Sequence, residues 1–227
     1  VKHGETDSLE KFVKSLKKHL DLDLILSSQQ KFKLYLDELL SWNKRINLIS
    51  RKKDKPEDVY RHFLDSLLIL KAVKIPESAR VLDLGSGAGF PAIPIRIPRE
   101  DLNIVMVESI RKKTLYLNKM IELLELKNTT ALQKRAEEIQ NQSVYKESFD
   151  FVTAKAFGKL KQTIYSAYPF LKKGGVLVAY KGSSYKSEII DFLKEPRNLH
   201  LQIKDIKFFA IPEYEIERFL VLIEKTS

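Results

Sequence analysis

Val81-Leu82-Asp83-Leu84-Gly85-Ser86-Gly87-Ala88-Gly89-Phe90-Pro91 is the stretch whose reading decides the fold. A short apolar run holding one acid enters three glycines at alternate positions, and a proline stands where a helix can begin. The pattern predicts a strand, a tight loop and a helix entry. Glycine suits such a loop because it takes sharp backbone turns and carries no side chain where a ligand must come close. The loop therefore reads as a small-molecule cradle or, on its own, as a ligand-free turn.

Downstream the texture repeats. Candidate strands at Arg80–Leu84, Ile104–Glu108, Thr129–Gln133, Phe149–Ala154 and Val176–Lys181 alternate with candidate helices near Pro91, over Arg111–Glu125, near Ala136 and over Lys159–Leu171. Such alternation predicts an α/β fold with a mostly parallel sheet covered on both faces. Pro91, Pro94 and Pro98 should keep the helix after the loop short. After a further helix beyond Ser187, Leu201–Ala210 and Arg218–Glu224 read as a terminal hairpin around Pro212-Glu213-Tyr214-Glu215.

Upstream the spacing is helical. Leu9, Phe12, Val13, Leu16 and Leu20 predict one helix, capped by Asp7 with Glu10. Phe32, Tyr35, Leu36, Leu39, Leu40 and Trp42 predict a second, capped by Ser27 with Gln30, and a third should start at Pro56. We therefore expect a helical extension over 1–75 and a sheet domain over 76–227. Trp42 reads as a core anchor, Asn43 and Asn47 as turn residues. His62 and Asp65, three apart on a helix, should bond each other or pin the helices to the sheet.

The 227 residues suffice for a large core, with 44% hydrophobic residues. No apolar run is long enough to span a membrane and 1–10 is too polar for a signal peptide, so a cytoplasmic protein is expected. Cysteine is absent, which excludes disulfides and a thiol nucleophile, and His3, His19, His62 and His200 lack ligand spacing, so no metal is expected. Forty Lys+Arg against thirty Asp+Glu leave a formal charge of +10, which suits a polyanionic partner. The charge is concentrated. Asn43–Lys55 holds six basic residues, Lys44, Arg45, Arg51, Lys52, Lys53 and Lys55, against one acid, and Phe151–Ser187 holds seven lysines and no acid. Lysines 155, 159, 161, 172, 173, 181 and 186, with Arg111, Lys112 and Lys113, are expected to form a basic rim; tyrosines 165, 168, 180 and 185 lie among them. For any single lysine a solvated face is an equal reading.

In open parallel sheets ligands bind outside the carboxyl ends of the strands, where the glycine loop should lie. Glu108 ends the second strand twenty-one positions after Gly87, which suits a carboxylate accepting hydrogen bonds from a ribose diol. A dinucleotide fingerprint requires a third glycine three positions after Gly87, where Phe90 stands. That leaves a phosphate-free nucleoside as the better fit.

With glycines at 85, 87 and 89 behind Asp83, the loop resembles motif one of class I methyltransferases that use S-adenosylmethionine. The resemblance implies a Rossmann-like, seven-stranded sheet with an antiparallel last strand. It assigns Gly85, Gly87, Gly89 and Phe90 to the methionine side of the cofactor, Glu108 to its ribose, and Ala136 and Glu137 to its adenine. Trp42-Asn43, Asn47-Leu48, Arg61-His62, Asp65-Ser66, Gly87-Ala88-Gly89-Phe90-Pro91, Arg135-Ala136-Glu137 and Arg218-Phe219-Leu220-Val221 together resemble the ordered landmarks of the ribosomal RNA small-subunit methyltransferase G family. That likeness implies methyl transfer from S-adenosylmethionine to N7 of one guanine in 16S ribosomal RNA, leaving S-adenosylhomocysteine; a monomer is expected. Two positions depart from the family. Lys155 stands where arginine is usual and Ile49 where threonine commonly follows Asn-Leu; lysine keeps the charge but loses the two-pronged donor.

Guanine N7 has a lone pair and no proton, so no general base is expected, and Lys155 is a candidate for positioning substrate or cofactor. Lys44, Arg45, Arg51, Lys52, Lys53, Arg61, Lys155, Lys159 and Lys181 are the candidate RNA contacts. The rival readings are a nicotinamide-dependent oxidoreductase, disfavoured by the glycine spacing, and a nonenzymatic RNA-binding protein that retains the fold.

Overall fold

The computed structural model describes residues 3–50, 55–194 and 199–227. Its core is a seven-stranded sheet. The strands are β1 (Arg80–Leu84), β2 (Asn103–Glu108), β3 (Thr129–Gln133), β4 (Phe149–Lys155), β5 (Leu171–Lys181), β6 (Leu201–Ile211) and β7 (Ile216–Lys225). Their order is β3-β2-β1-β4-β5-β7-β6. The five strands from β3 to β5 run parallel, and β7 inserts antiparallel between β5 and β6. The order reverses between β1 and β4, the switch point at which open α/β sheets bind ligands.

The central strands β1, β2 and β4 form on short, largely apolar runs, whereas β6, which pairs with one neighbour only, alternates exposed and half-buried residues. Four of the five residues of β1 are buried, as a central strand covered on both faces requires. One face is covered by α7 (Ala136–Ile139), α8 (Leu160–Ala167) and α9 (Tyr185–Leu193). The other carries α5 (Ala92–Arg96) and α6 (Arg111–Leu123) together with the upstream helices α1 (His3–Leu20), α2 (Leu26–Asn43), α3 (Pro56–Leu67) and α4 (Ile69–Ala72). The buried side chains of α1, α2 and α3 join those of β1, β2 and α5 in one continuous hydrophobic cluster. Aromatic rings weld the layer: Phe12 stacks on Tyr60 at 4.9 Å, Tyr35 on Phe63 at 4.8 Å, and Phe63 meets Phe90 of the glycine loop edge-on at 5.9 Å.

The expected strands appear in the expected order, and α5 is only five residues long; β5, however, begins at Leu171, five residues before the expected Val176, and α8 ends at Ala167, short of the expected Leu171. Two expectations fail locally. Asp7 and Ser27 are not caps: α1 is helical from His3, and α2 starts at Leu26 after Ile25, with no side-chain cap. The third helix does begin at Pro56, where the Asp58 carboxylate accepts the Lys55 N–H at 3.4 Å. Trp42 packs edge-on against Tyr116 at 5.6 Å, and buried Asn43 accepts the N–H groups of Leu48 and Ile49 at 2.9 and 3.0 Å, turning the chain after α2.

Candidate active site

The glycine loop leaves β1 with positive φ at all three glycines: +67° at Gly85, +56° at Gly87 and +95° at Gly89. Each is bare for a different reason. At Gly89 a β-carbon would lie 2.5 Å from Ile93 Cδ1 and 2.7 Å from the Tyr35 hydroxyl oxygen, so this glycine admits the helical layer. At Gly85 it would lie 2.7 Å from Phe157 Cδ2, whereas at Gly87 nothing comes nearer than the loop's own carbonyl at 3.8 Å. Behind the loop, fully buried Asp83 accepts the Thr153 hydroxyl at 2.8 Å, and its other oxygen has no hydrogen-bond partner among the described residues. Burial pushes its pKa up to about 7, against the opposing pull of Ser86, Thr153 and Lys155.

Two clefts open at the carboxyl end of the parallel strands. The first, about 330 Å³, is lined by Gly85, Glu108, Ser109, Arg135, Ala136, Glu137 and the side chains around them. Glu108 is fixed before any ligand arrives. One carboxylate oxygen accepts the Gly87 N–H at 2.9 Å and the other the Ile110 N–H at 2.8 Å. A carboxylate offers about four lone-pair directions, so two remain for hydroxyl donors.

The second cleft, about 340 Å³, lies beyond Phe157 and includes His62, Asp65, Lys155, Lys181, Glu188 and Arg218 in its lining. Asp65 is its electrostatic centre. Arg218 grips it with two prongs, Nε at 2.8 Å and Nη2 at 3.1 Å, and Lys155 Nζ approaches at 3.0 Å. Burial opposes ionisation of Asp65, yet Lys155 and Arg218 outweigh it and hold the carboxyl below its ordinary value. Burial likewise lowers the pKa of Lys155, against the pull of Asp65. His62 does not bond Asp65. It stacks on Phe90 at 5.2 Å, and burial, with the Lys155 charge, lowers its pKa to about 4, so it is neutral at pH 7.

The candidate residues separate accordingly. Gly85, Glu108, Ala136 and Glu137 come together in the first cleft. Phe90 does not line it: its ring is buried among Tyr35, His62 and Phe63, with Lys155 Nζ 5.0 Å from its centroid, because the loop turns it towards the helices. Lys155 belongs to the second cleft.

The basic rim is smaller than the charge count suggests. Lys181 is buried, bonded to the Gly158 carbonyl at 2.5 Å and to Glu188 at 2.8 Å, so its ammonium is engaged by protein partners. Lys172 pairs with Asp150, and with Lys173 it lies at the opposite end of β5, beside the start of β4 and roughly 15–20 Å from the clefts at strand rise. Asp65, far upstream, pairs with Lys155, and Glu188, just past the end of the acid-free run, pairs with Lys181. Lys44, Arg45, Lys159 and Lys186 remain exposed, as do Arg111 and Lys112. Arg61 is tied to the β6–β7 turn, donating to the Glu215 carbonyl at 2.7 Å. Arg51, Lys52 and Lys53 lie outside the described residues. Tyr180 is buried and donates to the Ser66 carbonyl, and Tyr185 stacks on Phe219 at 4.0 Å.

Phe157, Gln162, Glu188 and Arg218 were not among the expected site residues. Asp65 and Arg218 did carry a signal, each being a charge set in an apolar run, but their pairing spans 153 positions. Among the described residues no helix is long and apolar enough to cross a membrane, and no group of three or more acidic or histidine side chains could hold a metal.

Residues 28–216 match the family model of rRNA small subunit methyltransferase G. The chain is 36% identical over 211 residues to the ribosomal RNA small subunit methyltransferase G of Desulfitobacterium hafniense strain Y51, covering 93% of this chain and 87% of that one. Its fold is similar to that of a predicted O-methyltransferase from Agrobacterium tumefaciens, with a TM-score of 0.56 at 22% identity over 74% of this chain and 81% of the other. It is also similar to M. jannaschii TYW2 in complex with AdoMet, with a TM-score of 0.55 at 15% identity over 80% and 77%.

Proposed function

This chain belongs to the rRNA small subunit methyltransferase G family, and we propose that it transfers a methyl group from S-adenosylmethionine to N7 of one guanine in 16S ribosomal RNA. The observation that carries the reading is the pair of adjoining clefts at the sheet's switch point, one organised around Glu108 and the other around Lys155 and Arg218.

The first cleft fits the cofactor's nucleoside. Glu108 is held by two backbone N–H groups with two acceptor directions left for the ribose hydroxyls, Ala136 and Glu137 border the adenine, and Gly85 admits the methionine portion. When bound, S-adenosylmethionine supplies an electrophilic methyl on a positively charged sulphur. Guanine N7 presents a lone pair and no proton, so the second cleft has no proton to remove there. Its task is alignment, which in bound reactants contributes several kcal/mol to the barrier. Asp65 engages Nε and Nη2 of Arg218, which leaves Nη1 to donate to guanine O6 beside N7. His62, neutral at pH 7, adds no charge of its own. Helix α3 supplies His62 and Asp65 and the turn after α2 the exposed Lys44 and Arg45, so the segment 1–75 forms the RNA-facing layer of the site.

Incubation with methyl-labelled S-adenosylmethionine and unmodified small subunits or their RNA is expected to place label on guanine N7. Label on a different base, with none at N7, rejects the reading. Glu108→Ala is expected to weaken S-adenosylhomocysteine binding by about tenfold to a hundredfold through the loss of hydrogen bonds to a charged acceptor, with RNA affinity little changed. Unaltered affinity by calorimetric titration removes Glu108 from the ribose.

Two lysines should behave oppositely. Lys159→Ala is expected to lower RNA affinity and reduce the salt slope by about one, leaving stability within about 0.5 kcal/mol. Lys181→Ala, which takes the cation from Glu188 but leaves it the Leu160 N–H and the Ser184 hydroxyl, is expected to lower stability by about 1–2 kcal/mol without changing that slope. Salt-titrated binding together with urea unfolding checks both, and a reduced slope in Lys181→Ala would return that residue to the RNA surface.

A further inference from the structure

Among the described residues, Phe157 alone lines both clefts. It sits on the connection between β4 and α8, flanked by Ala156 at φ +57° and Gly158 at φ +142°. Its half-buried ring rests on the bare face of Gly85, where a β-carbon would come within 2.7 Å of Cδ2. The ring thus covers the part of the glycine loop that the functional reading gives to the methionine portion of the cofactor. One face cannot hold both.

We propose that Phe157 is a two-position partition that couples the clefts. In the free chain it covers Gly85. With S-adenosylmethionine or S-adenosylhomocysteine on the loop, the ring turns towards the Lys155 cleft and becomes a stacking wall for the target purine. Three observations support the motion. The ring is partly exposed, it belongs to no helix or strand, and its other contact surface is a 340 Å³ cleft with room to receive it. A side-chain rotation of this kind is fast relative to turnover. Because the displaced ring improves the second cleft, cofactor and RNA each tighten the binding of the other by the same factor. Stacking of a base on an aromatic ring is worth about fivefold to a hundredfold in affinity. The inference rests on the two-cleft reading above and adds to it a coupling between cofactor and purine.

The test uses the full chain with Phe157→Ala and Phe157→Tyr, titrated with S-adenosylhomocysteine alone, with a 16S ribosomal RNA fragment alone, and with each in the presence of the other. The wild type is expected to bind RNA several-fold more tightly when S-adenosylhomocysteine is present. Phe157→Ala is expected to bind S-adenosylhomocysteine alone more tightly, to lose the coupling, and to raise KM for RNA about tenfold. Phe157→Tyr should keep the wild-type pattern. Wild-type cofactor affinity with coupling intact in Phe157→Ala overturns the proposal, as does equal loss of binding and of melting temperature in both variants. Should the wild type methylate no RNA, the functional reading fails, while the S-adenosylhomocysteine affinity of Phe157→Ala still decides whether the ring stands on the cofactor's place.

Discussion

Asp65→Ala will destabilise the protein by about 3–5 kcal/mol at pH 7, because it leaves two cations in a mostly buried site without their counter-charge. Lys155 and Arg218 both lean on this carboxylate, whose side chain is 3% exposed. Asp65→Asn keeps the volume but not the charge, so it is expected to cost nearly as much, which separates charge from packing. Adding Lys155→Met to Asp65→Ala should recover part of the loss by removing one stranded cation. The pH dependence has a definite sign. The folded-state pKa of Asp65 is depressed, so its contribution is fully present above the ordinary aspartate value, near 4, and fades as pH falls through the depressed value. Urea unfolding at pH 7 and pH 3 should therefore show the gap between wild type and Asp65→Ala narrowing in acid. A gap below about 1 kcal/mol at pH 7, or one independent of pH, refutes this account.

Gly89→Ala will be the most damaging single methyl in the loop. Its β-carbon would enter a space shared with Ile93 and Tyr35, both fully buried, at 2.5 and 2.7 Å, on a backbone at φ +95°. Neither neighbour can retreat freely: Ile93 lies in α5, and the Tyr35 hydroxyl donates to the Ala88 carbonyl at 2.5 Å, tying α2 to the loop. Left-handed strain and overpacking together are expected to cost about 3 kcal/mol or more. Gly87→Ala meets nothing closer than 3.8 Å and should cost only the left-handed penalty, about 1–2 kcal/mol. Thermal melting compares the two directly, and equal midpoints would contradict the assignment of Gly89 to packing.

The parts of this fold legible in the sequence are those set by local pattern. Strand ends were readable where apolar runs stop at turn formers, as Arg80–Leu84 does at Gly85, and Glu108 was readable because its distance from the loop is fixed by one βαβ unit. Helix starts were not. Ser27 looks like a cap, but it lies inside α2, whose Ser28, Phe32 and Leu36 are buried, and such tertiary packing overrides a local capping signal. The charge run misled for a similar reason. Composition reports how many lysines a segment holds, whereas Glu188, just beyond the segment's end, and Asp65, which only folding brings to Lys155, decide which remain available. Phe157 was illegible altogether, since its significance lies in touching two clefts at once.

The insertion of β7 between β5 and β6 also bears on how the chain is made. Ribosomal synthesis delivers α3 and β5 long before β7, yet Asp65 waits for Arg218, 153 positions later, and β5 waits for its antiparallel partner at Val176–Lys181. Until then the nascent chain presents an open strand edge and a helical layer whose buried carboxylate lacks one of its two cations. Such a chain matures in one late step, slow by the loop closure it requires and exposed to aggregation meanwhile. A ribosome-bound chain stopped before Ile216 is expected to be protease-sensitive in α1–α3 as well as in the sheet. The finished protein should become resistant in both regions together.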